Sequence, residues 1–225
     1  MRYLTAGESH GPCLSGIIEG LPAGLTINKA VVDFQLERRQ KGYGRGGRML
    51  IEKDQVEFLS GLRFSQTIGS PLAMQIKNRD WENWSTIMDL QGSPPSDLKH
   101  ITRPRPGHAD LAGSLKYNLQ DIRSVLERSS ARETATRVAI GTIGRILIER
   151  YAVSGFSHVT SIGPVESSLE VTPDKLAMLA ELTEQSPLRC ADPAAEKEMI
   201  AEIDKAARLG DTLGGTIEIA VIGLP

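Results

Sequence analysis

The stretch "GESHGPC" at residues 7–13 sets Ser9 and His10 between glycines, in what must be a tight turn. A neutral imidazole takes up a proton near neutral pH and an imidazolium gives one away, so His10 is a candidate acid–base group. The glycines let the backbone come close to a ligand. A turn whose histidine only hydrogen-bonds is the alternative, and the local sequence weighs the two evenly. A second imidazole, His108, lies in "ITRPRPGHAD" with Arg103, Arg105 and Asp110. Two prolines stiffen this loop, so a charged side chain can be aimed with less entropy lost. The planar guanidinium of Arg105 suits a carboxylate or a phosphate. Asp110 is placed either to orient His108 or to cap a helix; a surface loop of solvated arginines is the plainer alternative.

Two more stretches are rich in arginine. "LERRQKGYGRGGR" carries Arg38, Arg39, Lys41, Arg45 and Arg48, with glycine at 42, 44, 46 and 47. Cations this dense repel one another without an anionic partner, and phosphate suits such donors. No G-x-x-x-x-G-K-[ST] pattern is present, and a solvated basic loop or a nucleic-acid arm remains an alternative. In "ERSSARETATR", Arg128, Ser129 and Ser130 precede a helix that holds Arg132 in its first turn. A helix start offers unpaired N–H groups and positive potential, which suit an anion; an ordinary capped helix is the alternative. Together, two histidines and three arginine-rich stretches point to a substrate with several negative charges and to acid–base help for a leaving group. There is no G-x-S-x-G elbow and no zinc or calcium spacing, so no metal is expected.

The elements that must position these residues are legible as patterns. The stretch "GPCLSGIIEGLP" at residues 11–22 alternates, with Leu14, Gly16 and Ile18 on one face against Cys13, Ser15 and Ile17, and reads as a strand closed by Gly20 and Pro22. A helix follows, capped by Thr26 or Asn28, with Val32, Leu36 and Arg39 on one face. Strands are expected at 49–52, 55–59 and 70–78, the last with Leu72, Met74 and Ile76 facing one way. Residues 78–99 read as a surface excursion. Ser130 with Glu133 suggests a capping box before a helix over 131–151. A strand at 154–165, helices at 172–184 and 192–210 with Gly210 as stop signal, and a strand at 214–225 complete the order. Mixed helices and alternating strands imply an α+β fold with helices layered on antiparallel sheet.

Composition narrows the function classes. The chain has 225 residues, 40% hydrophobic and 24% charged, which suits a soluble globular protein. Lysine plus arginine is 26 against 28 for aspartate plus glutamate, so no global field calls for nucleic acid or a membrane. Two Trp, four Tyr and four Phe support base stacking poorly. Cys13 and Cys190 make no metal spacing and suit a reducing cytoplasm. No apolar leader and no membrane-length apolar run is visible. One domain over 1–225 is expected, incomplete at its C-terminus because the last strand stops abruptly at Pro225.

The motifs "GESHGPCLSGIIEGLP", "RPGHAD" and "RSSARETATRVAIG" resemble, in order and spacing, the signatures of the chorismate synthase family. "RRQKGYGRGGR" and "GDTLGGTIE" also fit, and the resemblance covers essentially the whole chain. It implies a β-α-β sandwich of antiparallel sheets and layered helices, assembled as a homotetramer. It implies a lyase that removes phosphate from C3 and hydrogen from C6 of 5-enolpyruvylshikimate 3-phosphate in an anti-1,4 elimination, giving chorismate in the shikimate pathway. Reduced FMN would lend an electron and recover it, with NADPH or a separate flavin reductase as the source of reducing equivalents. By the same resemblance His10 would protonate the departing phosphate and His108 would hold or protonate the flavin. Ser9, Arg39, Arg45, Arg48, Arg105, Ser130, Ala131 and Arg132 would contact the substrate. Arg128, Ser129 and Ser130 would bind flavin, and Arg39 and Arg45 also match positions assigned to NADP. Family members are longer, so a protein ending at Pro225 is expected to turn over little or no substrate. The rival classes are a phosphate-ester enzyme without flavin and an anion-binding or nucleic-acid-binding module.

Overall fold

A computed structural model describes residues 1–44 and 51–224. They form two compact units, one drawn from 1–39 and 47–144 and the other from 40–46 and 145–225. Along the first unit run β1 (Arg2–Ala6), β2 (Cys13–Glu19), α1 (Lys29–Gln40), β3 (Val56–Ser60), the short strands β4 (Leu62–Arg63) and β5 (Gln66–Thr67), and β6 (Leu72–Lys77). Then come α2 (Trp81–Trp84), α3 (Asp110–Tyr117), α4 (Arg123–Arg128), a 3-10 turn (Ala131–Glu133) and the start of α5 (Thr134–Glu149).

The antiparallel sheet has the order β1-β2-β6-β3. Alternation puts Leu14 and Ile18 of β2 and Leu72, Met74 and Ile76 of β6 on one side, all 1% exposed or less. Helix α5 packs on that side through Ala135, Ala139, Ile140 and Ile143. Gly16 permits the approach: a Cβ there would lie 2.8 Å from the Thr136 methyl and 3.0 Å from Ile140 Cδ1. Helix α1 buries Val32 and Leu36 completely. Its cap is Asn28, whose Oδ1 accepts the Ala30 N–H at 3.0 Å, while Thr26 is taken up by a bridge to Gln66.

The departures from expectation are local. The strand expected at 49–52 lies outside the described residues except for its last two, which are not in a strand. Helices α3 and α4 carry no sequence period because they have only eight and six residues. They pack at a separation that glycine sets, since a Cβ on Gly113 would fall 2.4 Å from Val125 Cγ1. Ser130 caps, but its hydroxyl accepts from the Arg132 N–H at 3.3 Å. Glu133 does not close the expected box; its carboxylate is held instead by Thr5 and Arg137.

The second unit holds the end of α5, β7 (Ser154–Ile162), β8 (Val165–Glu166), α6 (Leu176–Gln185), α7 (Pro193–Leu209) and β9 (Gly215–Ile222). Its antiparallel sheet runs β8-β7-β9. The expected strand at 154–165 is in fact a hairpin, because Gly163 at φ +56° turns the chain. Asp192 caps α7 through the Ala194 and Ala195 N–H groups at 3.1 and 3.2 Å, and Gly210 at φ +66° ends it. Leu188, Cys190, Ala195 and Met199 form the core, with Val159, Ile162, Val165, Ile200 and Ile203 against it. Among the described residues no helix is long and apolar enough to cross a membrane.

Gly16→Val should lower the unfolding free energy by about 1–3 kcal/mol through overpacking against α5. Urea denaturation measures this; an unchanged midpoint would show that the helix does not rest tightly on β2.

Candidate active site

The described residues expected to do chemistry lie in the first unit, on the turn between β1 and β2, the end of α1, the loop before α3, and the end of α4 with the entrance to α5. The turn needs glycine at its start: Gly7 has φ +103°, and a Cβ there would meet the Cys13 carbonyl oxygen at 2.4 Å. Asn78, just past β6, clamps the turn by donating Nδ2 hydrogens to the carbonyls of Glu8 at 3.0 Å and Gly11 at 2.7 Å. Ser9 is buried, and its N–H donates to the Glu127 carbonyl at 3.0 Å.

His10 is fixed on several sides. Its backbone N–H donates to Glu127 Oε2 at 2.9 Å, and its Nδ1 lies 2.8 Å from the same oxygen and 3.0 Å from Oε1. The ring stacks on Trp84 with centroids 4.0 Å apart. Nε2 is 3.7 Å from Asp80 Oδ2, and the side chain is 18% exposed. Asp80 in turn accepts from Trp84 Nε1 at 3.2 Å. Arg123 lies 5.4 Å over the Trp84 ring and 3.9 Å from Glu127 Oε1. Glu127 itself is 1% exposed.

A second network sits behind the turn. The buried Arg132 donates from Nε to Asn78 Oδ1 at 2.9 Å and from Nη1 to Asp54 Oδ1 at 2.6 Å. Its Nη2 is 3.5 Å from Glu52 Oε2 and 3.5 Å from the Lys77 carbonyl. Arg39 shares Asp54 at 3.6 Å and donates to Thr134 Oγ1 and the Ala131 carbonyl, both at 3.0 Å. Arg128 donates to the Thr5 carbonyl at 3.0 Å and to Thr5 Oγ1 at 2.9 Å. Ser129 is exposed. Burial pushes the Glu133 carboxyl upward, but Arg137, Thr5 and Arg128 outweigh it and hold it below its ordinary value.

On the third network, Asp110 is fully buried at the first residue of α3 and bonds to His108 Nδ1. Its other oxygen accepts from the Arg105 N–H at 3.0 Å and Arg105 Nε at 3.1 Å. The Arg105 Nη2 lies 3.0 Å from His108 Nε2. Burial pushes the Asp110 carboxyl upward, yet the bonds from Arg105 and His108 outweigh that and hold it below its ordinary value. Asp110 therefore orients His108, and the helix cap is Ala109. Asp121 anchors the loop by accepting the Ile101 N–H at 3.0 Å.

The structure thus brings Ser9 and His10 together with Glu127, Arg39 with Ala131, Ser130 with Arg132, and Arg105 with His108. Among the described residues no hydrogen bond or ring contact joins His10 to His108. Arg45 and Arg48 lie outside the described residues. Arg132 and Arg39 face acidic groups of the protein itself. Glu127, Asp80, Trp84 and Asn78 carry no local signal of their role, since the His10 turn they surround is remote from them in sequence. In the second unit, the "GDTLGG" motif borders a cleft of about 560 Å³ with Tyr43 and Ser161.

A family model described as chorismate synthase matches residues 1–225. The chorismate synthase of Symbiobacterium thermophilum is 52% identical over 230 residues, covering all of this chain and 59% of that protein. The one from Desulforudis audaxviator is 53% identical over 225 residues, covering all of this chain and 57% of that protein. A solved structure titled "Crystal Structure of Chorismate Synthase" superposes with a TM-score of 0.79 at 37% identity, over all of this chain and 58% of that one. The chain therefore spans under three-fifths of the length of these relatives.

Arg132→Met should lower stability by about 3–5 kcal/mol, because it leaves Asp54 and Glu52 buried without their cation. A loss under about 0.5 kcal/mol, the surface value, would refute the network. A second expectation concerns acid. A carboxyl held low contributes stability above its unfolded value near pH 3.9, and that stability is lost as pH falls through its lower folded value. Protection of loop 103–110 in hydrogen exchange should therefore survive to about pH 4 and fail below it, and Asp110→Asn should abolish that dependence.

Proposed function

The chain belongs to the chorismate synthase family, and on that premise we propose that its first unit handles the leaving phosphate in the elimination of phosphate from 5-enolpyruvylshikimate 3-phosphate to chorismate. The observation that carries this reading is the His10 imidazole, held at Nδ1 by a buried carboxylate and left with Nε2 for exchange. As the C3–O bond breaks, charge builds on the phosphate oxygen, and the imidazolium form of His10 gives it the Nε2 proton, leaving the neutral Nδ1–H ring. The half-exposed guanidinium of Arg105 keeps donors for an anion, as does that of Arg128, 40% exposed. Arg39, Arg45, Arg48, Ser9, Ser130 and Ala131 stay assigned to the substrate by family resemblance. Arg132, enclosed by Asp54, Glu52 and Asn78, serves that contact by fixing the entrance to α5 and the His10 turn.

The donor set fits a reduced flavin. Ser129 is exposed, Ser130 lies at the same helix entrance, Arg128 retains donors, and His108 is oriented by Asp110. These residues would hold reduced FMN, which when bound supplies an electron to the substrate and takes it back. The resemblance further supports a homotetramer in the cytoplasm, with NADPH or a flavin reductase supplying the reduced cofactor.

The test is anaerobic conversion of the substrate by the protein at full natural length. Chorismate should form only with reduced FMN; undiminished formation without flavin would overturn the proposal. His10→Ala and His108→Ala should each cost about 10²-fold or more in turnover, and losses of only a few-fold would remove both from catalysis.

A further inference from the structure

We infer that Glu127 is the positioning residue of His10, holding the hydrogen on Nδ1 so that Nε2 is the one ring atom that exchanges protons. This rests on the reading of His10 as the proton donor and names what aims it. An ionised Glu127 carboxylate only accepts, so opposite it the ring nitrogen 2.8 Å away carries the hydrogen. The same oxygen accepts the His10 backbone N–H at 2.9 Å, which locks the ring to its own main chain. Trp84 covers one ring face at 4.0 Å. The groups facing the ring are Glu127 from α4, and Asp80 and Trp84 from the start of the excursion, with Arg123 of α4 beyond them against Glu127 and Trp84. Of these only Glu127 is within hydrogen-bond distance, because Asp80 is 3.7 Å from Nε2.

A merely structural role does not account for this carboxylate. The turn is already closed by the Ser9 N–H on the Glu127 carbonyl and by the two Asn78 bonds. Taking a carboxylate out of water is costly unless it is paired. Yet at 1% exposure Glu127 has only His10, through ring and backbone, and the more distant Arg123 as described partners. Beyond the His10 main-chain N–H, what matches its burial is the imidazole.

The histidine tautomer can be read directly from long-range proton–nitrogen spectra of the ¹⁵N-histidine-labelled protein, with His10→Gln identifying the signal. Neutral His10 should carry its hydrogen on Nδ1. A wild-type His10 with the hydrogen on Nε2 overturns the inference without any variant. Glu127→Met, which removes the acceptor, should release the ring to the Nε2–H form that a free side chain prefers. Glu127→Gln keeps an acceptor oxygen and should restore the Nδ1–H form. In turnover, Glu127→Met should lower kcat about 10²-fold with KM for the substrate within about threefold, and Glu127→Gln should recover most of the loss. A folded Glu127→Met protein that retains Nδ1–H, or a raised KM at unchanged kcat, would also refute it. The tautomer needs no turnover. Absent flavin-dependent conversion therefore sinks the lyase reading alone, while a wrong tautomer with conversion intact sinks this one.

Discussion

The site depends on one buried cation. Arg132 lies between Asp54 and Glu52 and donates to Asn78. A guanidinium out of water is tolerated only when its donors are matched and a counter-charge is close, and this one has both. The consequence reaches well beyond the pair. Asn78 clamps both ends of the His10 turn, Asp54 also meets Arg39 of α1, and Arg132 itself begins the entrance to α5. Helix, sheet and the His10 turn are therefore held by one set of charges. Removing any member strands the others in a low-dielectric interior.

That constraint divides the arginines into two kinds. Arg132 and Arg39 face acidic groups of the protein and hold the elements around them in place. Arg105 and Arg128 are anchored by one edge and remain partly exposed. Anchoring matters because a pre-aimed guanidinium loses little side-chain entropy when an anion arrives. The histidines follow the same logic. Each has Nδ1 on a buried carboxylate, Glu127 for His10 and Asp110 for His108, so each ring is oriented before any substrate is present.

Local rules account for much of the scaffold. Period-two alternation named the buried faces of β2 and β6, and cap chemistry placed the C-terminal end of α7, because these signals act between residues a few positions apart. They failed where the element is too short to show a period, as in α3 and α4. They failed again where a nearby cue was outweighed by a tertiary partner. Glu133 left the expected capping box because Thr5 and Arg137 offered its carboxylate better bonds.

The sequence by itself determined the fold class, the turn that carries His10, the stiff loop of Arg105 and His108, and, through its motifs, the family. Only the tertiary structure decided that Glu127 holds His10 from 117 residues away, that Arg132 is enclosed by a carboxylate 78 residues distant, and that the two imidazoles stand on separate networks. The reason is physical. Turns, caps and alternation are satisfied within one or two turns of chain. The partner of a buried charge is whichever group the packing of sheet and helices brings within about 3 Å, and no local pattern of residues encodes that distance.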